Sequence, residues 1–333
     1  MPPYLSIIVP CYNEQATIRL LLDAVLAQTY PRSQMEIVIA DGLSQDGTRD
    51  VIAAFQSEHP DLAVRILDNE RRSIPSALNL AVSAARGEII IRLDAHSMPQ
   101  PDYMQCCVQV LEAGKGANVG GVWMIHPGAG GWIAEAIAAA AAHPLGVGDA
   151  MYRLAPKAGP VDTVPFGAFR RELIEKIGGF DETLLTNEDY EFNTRVRQSG
   201  GVVWIDPQIR STYFARANLS ALAAQYWRYG FWKFKMLRRY PDTIRWRQAL
   251  PPALILSLVG LLVLSFFFPL IELILILEIL CYLAVLTLAG LQLALCQRKP
   301  LLVLGLPLAV MVMHLSWGSG FLWSFVSKTP NNG

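Results

Sequence analysis

Several short polar segments of this chain hold residues able to do chemistry, and three of them follow apolar runs. Asp94-Ala-His96 closes the run Glu88-Ile-Ile-Ile-Arg-Leu93. A carboxylate and an imidazole two residues apart at a turn can face one ligand together, and both bind Mg2+ or Mn2+. An Asp at a strand end is also an ordinary turn or cap residue. The same two readings apply to Asp41 and Asp46 in Asp41-Gly-Leu-Ser-Gln-Asp-Gly-Thr48. Pro10-Cys-Tyr-Asn-Glu14 is the third such turn. Further along, Asn187-Glu-Asp189 opens a helical pattern whose next turn holds Glu191. Acids there stabilise a helix start by ~0.3–1 kcal/mol, or one of them serves as a general base that takes a proton from a hydroxyl. Gln225, Arg228 and Tyr229 lie at i, i+3 and i+4, one face of a helix. On that face Arg228 can hold a pyrophosphate or a polar acceptor. His59, His126, His143 and His314 show no partner spacing and read as structural.

The elements that must position these groups alternate in type. Leu5–Val9, Glu36–Ala40, Val64–Leu67 and Glu88–Leu93 are strand-like runs rich in Val, Ile and Leu. Helical spacing follows at Ile18–Leu26, Thr48–Ser57 and Ser76–Ala85. Near-continuous apolar strands, each followed by a helix, predict a parallel sheet covered on both faces. Ligands of such sheets bind beyond the carboxyl ends of the strands. Those ends carry the three polar turns, and their convergence at one sheet edge is what raises each above ordinary turn chemistry. The middle is less regular. Residues 114–131 are Gly-rich, Trp132–Ala142 is an alanine-rich helical run, and Val161–Gly167 is an extended segment feeding a pocket. Helices over Arg170–Ile177 and Glu188–Ser199 and a last strand at Val202–Ile205 complete the pattern.

Charge and hydropathy then divide the chain. There are 28 Lys+Arg and 28 Asp+Glu, which gives no basic excess for nucleic acid. The mean hydropathy is +0.32, high for a purely soluble protein. The apolar residues concentrate in three spans, about 249–268, 270–291 and 301–325, each long enough to cross a bilayer, which takes ~20 residues. Between Arg210 and Arg247, nine basic side chains stand against Asp242 alone, a local excess of eight. Interleaved Tyr226, Trp227, Phe231, Trp232 and Phe234 suit an interfacial helix there. With Arg298-Lys299 between the second and third spans, the positive-inside rule puts the large domain in the cytoplasm and the C-terminus outside. The N-terminus has no secretory-signal pattern. Five cysteines without paired spacing give neither a disulfide framework nor a zinc knuckle. Glu272 and Glu278 fall in the second span; the first sits near its end, and the second is a functional candidate by its depth.

Taken in order, these segments resemble an inverting family 2 glycosyltransferase with a GT-A nucleotide-sugar domain, and within it the membrane glucosyltransferases of succinoglycan-type exopolysaccharide synthesis. Ile-Ile-Val-Pro10-Cys-Tyr12-Asn13-Glu14 matches the family's first strand and nucleotide loop. Asp41-Gly-Leu-Ser-Gln-Asp46-Gly47-Thr48 matches the DDGSxDGT turn, with Gly42 replacing the second Asp. Arg92-Leu-Asp94-Ala-His96 matches the DxD position, with His96 replacing the second Asp. Thr186-Asn-Glu188-Asp189 matches the ED motif, and Gln225-Tyr-Trp-Arg228-Tyr229 matches QxxRW with Tyr in last place. The resemblance implies that Pro10, Tyr12, Glu14 and Asp41 hold the nucleotide's base and ribose, that Asp94 contacts the nucleotide, and that Asp94 and His96 serve the metal. It makes Asp189 the catalytic base with Glu188 beside it. It implies a divalent cation, Mg2+ or Mn2+, with the imidazole favouring Mn2+.

The expectation is therefore an α/β GT-A domain over 1–217, an amphipathic interfacial region over 218–248, and three transmembrane helices over 249–333. The expected activity moves a hexose, glucose first, from a UDP-sugar to a polyprenyl-diphosphate-linked saccharide with inversion, at the inner membrane. Expected partners are the UDP-sugar, the lipid-linked acceptor, the membrane and other exopolysaccharide-assembly proteins, and not nucleic acid. Direct synthesis of a polyprenyl-phosphate sugar, a processive synthase, and a catalytically silent nucleotide-sugar-binding module are the competing readings.

Overall fold

The computed structural model describes residues 2–154 and 157–327. Residues 155–156 of the expected 1–217 domain, and 328–333 with the chain end expected outside, lie outside the described residues. The chain divides into two compact units, Met1–Met124 with Ala155–Tyr213, and Ile125–Leu154 with Phe214–Gly333. The second thus takes in 125–154, which the sequence pattern grouped with the first.

The first unit is the expected α/β domain. Strands β1 (Leu5–Cys11), β2 (Met35–Asp41), β3 (Ala63–Asp68) and β4 (Ile89–Arg92) form a parallel block in the order β3-β2-β1-β4. All seven residues of β2 and all four of β4 are buried, which is why both read as unbroken apolar runs. Helices α1 (Ile18–Leu26), α2 (Thr48–Glu58) and α3 (Ile74–Ala84) connect them. The 3.6-residue spacing buries Ile18, Leu21, Leu22 and Val25 of α1 completely. Each fully buried side chain of this size contributes ~1.5–3 kcal/mol. Ser73 caps α3, accepting from the N–H of Ser76, with Pro75 in the first turn.

Beyond β4 the sheet turns antiparallel. The two-residue strand β5 (Met98–Pro99) is followed by α4 (Tyr103–Glu112) and β6 (Asn118–His126). In the second unit, α5 (Trp132–Ala141), α6 (Pro144–Val147) and α7 (Met151–Leu154) come next in the chain. The first unit resumes with β7 (Gly159–Pro160), β8 (Ala168–Arg170), α8 (Arg171–Ile177), α9 (Glu188–Gln198) and the long β9 (Val203–Phe214). β8 pairs antiparallel with both β4 and β6, and β9 with both β5 and β7. Strand β6 crosses the Gly-rich stretch. A Cβ on Gly121 would sit 1.7 Å from the Ile209 carbonyl oxygen, so glycine is what lets the two backbones approach.

The second unit is helical. α10 (Leu219–Leu237) is capped by Asn218, which accepts from the N–H of Ala221 at 2.8 Å. α11 (Trp246–Ser265), α12 (Pro269–Gln297) and α13 (Leu302–Val326) are each long and apolar enough to cross a membrane. α10 packs closely on α13: a Cβ on Gly230 would lie 2.1 Å from the Trp317 carbonyl, and one on Gly320 2.1 Å from that of Trp227. This contact takes in Lys233 and Lys235, at 1% and 7% exposure, while Arg228, Arg238 and Arg239 stay exposed. Glu278 of α12 is hydrogen-bonded by Ser257 at 2.8 Å, which satisfies this acid structurally. His314 also has partners, the Leu145 carbonyl at 2.7 Å and the Tyr282 hydroxyl at 3.0 Å.

Candidate active site

The carboxyl ends of the parallel strands are flush. Cys11 pairs with Asp41 and Asp41 with Asp68 in register, so the turns after β1 and β2 leave the sheet side by side. Hydrogen bonds lace them together. The N–H of Asn13 donates to Ser44 Oγ at 2.8 Å, the N–H of Gln45 to Asn13 Oδ1 at 2.9 Å, and the N–H of Glu14 to Thr48 Oγ1 at 2.8 Å. Asn13, Leu43 and Arg72, one after each of β1, β2 and β3, all adopt left-handed backbone with φ of 54°, 60° and 53°. Such positions cost of order 1–3 kcal/mol each for non-glycine residues and gather where a ligand-binding edge is built. The expected convergence of the polar turns at one edge is what the fold produces.

Within that edge, the residues expected to hold the nucleotide differ in access. Tyr12 is 44% exposed and its ring lies over Gly42, where a Cβ would come within 3.1 Å of Tyr12 Cδ2. The glycine in place of an acid thus seats the tyrosine ring. Pro10 is half-buried. Asp41 is fully enclosed: its Oδ2 takes Arg49 Nε at 2.6 Å and the Ser44 N–H at 3.0 Å, and its Oδ1 takes the Ser44 hydroxyl. In this arrangement Asp41 shapes the turn through Ser44 and Arg49. Glu14 bonds His96 Nδ1 at 3.0 Å and is hydrogen-bonded by Thr17. Burial pushes the Glu14 carboxyl up, but the bonds to His96 and Thr17 outweigh it and hold it below the usual value.

The second cluster is centred on Arg92, which in the sequence stands out only as a neighbour of Asp94. It ends the apolar strand β4 and is 5% exposed. Its Nη2 lies 2.8 Å from Glu188 Oε1 and 3.2 Å from Asp94 Oδ1. One buried guanidinium therefore joins the turn after β4 to the start of α9. The signal was present: a cation inside Ile89-Ile-Ile-Arg92 demands acidic partners when the strand is buried. Burial opposes its charge, but Asp94, Glu188 and Asp189 more than restore it. Asn187, with φ of 69°, turns the chain sharply into α9, so Glu188 and Asp189 open the helix. Glu188 is buried in its pair with Arg92, whereas Asp189 is only half-buried and accepts the Tyr190 N–H at 2.7 Å. Burial, then Glu188, push the Asp189 carboxyl up to about 7 against the pull of Arg92. Asp189 is thus a carboxyl whose proton exchanges readily near neutrality. Glu191 is committed elsewhere, to Arg195 at 2.6 Å and 2.8 Å.

Among the described residues, no group of three or more His, Cys, Asp and Glu is arranged to hold a cation alone. The Asp94 and His96 side chains, 27% and 48% exposed, follow β4 in one turn. Two accessible protein ligands do not make a closed cage. They fit a cation that arrives on a diphosphate, because Mg2+ is typically held by one or two carboxylates plus substrate phosphates. Gln225, Arg228 and Tyr229 belong to α10 in the other unit. Gln225 is buried and its Nε2 donates to the Tyr229 hydroxyl at 2.9 Å, leaving Arg228 as the exposed member of the three.

Comparison with known proteins agrees with this fold. The sequence pattern described as glycosyl transferase family 2 matches residues 6–178. The succinoglycan biosynthesis protein ExoA of Rhizobium meliloti is 30% identical over 95% of this chain and 93% of its own. A dolichyl N-acetyl-alpha-D-glucosaminyl phosphate 3-beta-D-2,3-diacetamido-2,3-dideoxy-beta-D-glucuronosyltransferase of Methanococcus voltae is 28% identical over 96% of both chains. A mannosyltransferase of Pyrobaculum calidifontis, solved with GDP-mannose and Mn2+, shares the fold with a TM-score of 0.63 at 22% identity, covering 97% of this chain and 88% of that one.

Proposed function

Because the chain belongs to glycosyl transferase family 2, we propose that it moves a hexose, glucose first, from a UDP-sugar to a polyprenyl-diphosphate-linked saccharide, with inversion. The observation that carries the reading is the buried Arg92 joining Asp94 to Glu188, with Asp189 beside them raised to about 7. The turns at 10–15 and 41–48 hold the nucleotide, with Tyr12 at their exposed surface. Asp189 takes the proton of the acceptor hydroxyl while that oxygen bonds to the sugar's anomeric carbon. The bond from that carbon to the nucleoside diphosphate breaks on the opposite face, and its electron pair leaves with UDP. A single displacement of an α-linked donor gives a β bond. Asp94 and His96 would hold Mg2+ or Mn2+, which when bound offsets charge growing on the departing diphosphate. On that reading a chelator should abolish turnover and Mn2+ or Mg2+ restore it, and His96→Asp should shift the preference towards Mg2+. Full turnover in chelator would remove His96 and the cation together.

The reading of a lipid acceptor is supported by the three apolar helices and by the relative from Methanococcus voltae, whose name gives it a dolichyl-phosphate-linked acceptor. In the second unit basic residues flank the apolar helices at Arg245, Arg247, Arg298 and Lys299. Arg247 pairs with Asp149, and Lys299 lies 2.9 Å from Glu135. By the positive-inside rule those basic residues, and the domain that precedes them in sequence, are cytoplasmic. Arg228 takes the acceptor's diphosphate. The deciding experiment is mass spectrometry of lipid-linked glycans formed in membranes from a panel of UDP- and GDP-sugars. The expected product is the lipid saccharide one hexose heavier from a single UDP-sugar. A polyprenyl-phosphate monosaccharide as product would select the simpler transferase, and nucleotide-sugar binding without product from any lipid would select the silent module. Arg228→Ala should lower transfer to the lipid acceptor about tenfold with membrane retention unchanged. Transfer equal to the parent's would put the acceptor site elsewhere.

A further inference from the structure

Behind Asp189 lies a small recess, with room for about one water molecule, lined also by Arg92, Asn118, Val164, Phe169 and Phe192. Its walls mix polar and apolar groups, and two of its polar residues are incompletely satisfied. Arg92 Nη1 and Asn118 Oδ1 are buried and have no hydrogen-bond partner. The first can only donate and the second can only accept, so they cannot both be satisfied by another donor or by another acceptor. Asn118 is 2% exposed and held in place: its Nδ2 donates to Asn193 Oδ1 at 2.7 Å, and Asn193 in turn donates to Thr163 Oγ1 and the Val164 carbonyl, each at 3.0 Å. Gly167 preserves the space in front of Oδ1, since a Cβ there would lie 2.3 Å from it.

We propose that this recess is a built site for one ordered water molecule, which accepts from Arg92 Nη1 and donates to Asn118 Oδ1 and to the Asp189 carboxylate. Three hydrogen bonds are the usual complement of a buried water. The site rests on and deepens the glycosyltransferase reading by giving the base a second support beside Arg92. The groups facing Asp189 are Glu188, Arg92 and Asp94, and of these only Arg92 stabilises its charged form. A water that donates to the carboxylate adds to that stabilisation and keeps the base usable at neutral pH. Asn118 acts through this water, as a positioning residue.

Two variants separate the water from the packing around it. Asn118→Leu removes the acceptor and fills the recess, so the water is expelled. Asn118→Ala removes the same side-chain bond to Asn193 but leaves room for a second water to take the place of Oδ1. With the full chain in lipid nanodiscs, the acidic limb of the kcat/KM profile should move up by about half to one pH unit in Asn118→Leu and stay at the parent's position in Asn118→Ala. A high-resolution structure of the parent should show density between Arg92 and Asn118, a readout that needs no turnover. Absence of that density where other buried waters are seen, an unmoved limb in Asn118→Leu, or equal shifts in both variants would each overturn the site. Density present in a chain that turns over no nucleotide sugar would instead sink the proposed function and leave the water in place.

Discussion

Asp189→Asn should keep UDP-sugar binding and lower turnover by at least ~10²-fold, the loss expected when a general base can no longer accept a proton. The substitution is nearly isosteric, so the Tyr190 N–H that Asp189 accepts at 2.7 Å still meets an oxygen. The parent's turnover should rise with pH through about 7, because the carboxyl must lose its proton before it can take one, and burial holds it protonated up to that point. Stability should move the other way. Unfolded, this Asp ionises near 4, while folded it ionises near 7. Between those values the unfolded chain binds fewer protons than the folded one, so this group's contribution to stability falls as pH rises from about 4 to about 7. Asp189→Asn should therefore melt higher than the parent at pH 8, with the difference shrinking towards pH 4. A variant that loses turnover without this gain would have lost it through misfolding, and one that retains near-normal turnover would remove Asp189 from the base's role.

Such a group is legible in sequence only as far as its position. The parallel block could be read because β1, β2 and β4 are buried on both faces and so carry no polar alternation. Helix α1 could be read because its buried residues keep helical spacing, and its ends fall at the positions that the spacing gives. What escaped obeys other rules. Strand β6 carries Gly120 and Gly121, residues that read as loop, because their use is a close approach to Phe166 and Ile209, far away in sequence. Helix α4 and strand β8 gave no separate signal against their neighbours. Motif order brought out Asp94, His96, Glu188 and Asp189, but not their division of labour. That depends on which acid the guanidinium takes, and Arg92 takes Glu188 and Asp94. Asp41 likewise has the right type and place for a ligand, yet its oxygens are spent on Ser44 and Arg49. The aromatic and basic pattern of 218–248 suggested a helix lying on the membrane. Burial of Lys233 and Lys235 against neighbouring helices follows from Gly230 and Gly320, whose pairing no local pattern announces.

Arg92→Met should be the most destabilising single change in the α/β unit, by ~3–5 kcal/mol, the range seen when one partner of a buried ion pair is removed. Methionine fills much of the space of the arginine stem, so the loss is electrostatic more than volumetric. Glu188, 5% exposed, is left facing Asp94 and Asp189 with no guanidinium between them. For a unit of this size the melting midpoint should fall by roughly 10 °C. The fall should be larger at pH 8, where Asp189 is ionised, than at pH 5, where it keeps its proton. Arg92→Lys should lie between, because one ammonium restores the charge but not a fork that reaches two carboxylates. Adding Glu188→Gln to Arg92→Met should recover part of the loss, since the second change removes the charge that the first left exposed to its neighbours. Thermal unfolding of the four chains at both pH values checks this. If the double variant is no more stable than Arg92→Met, the two groups do not form a pair in solution. In that case the turn carrying Asp94 and the start of α9 are held together by packing alone, and the alignment of Asp94 with Asp189 cannot be credited to Arg92.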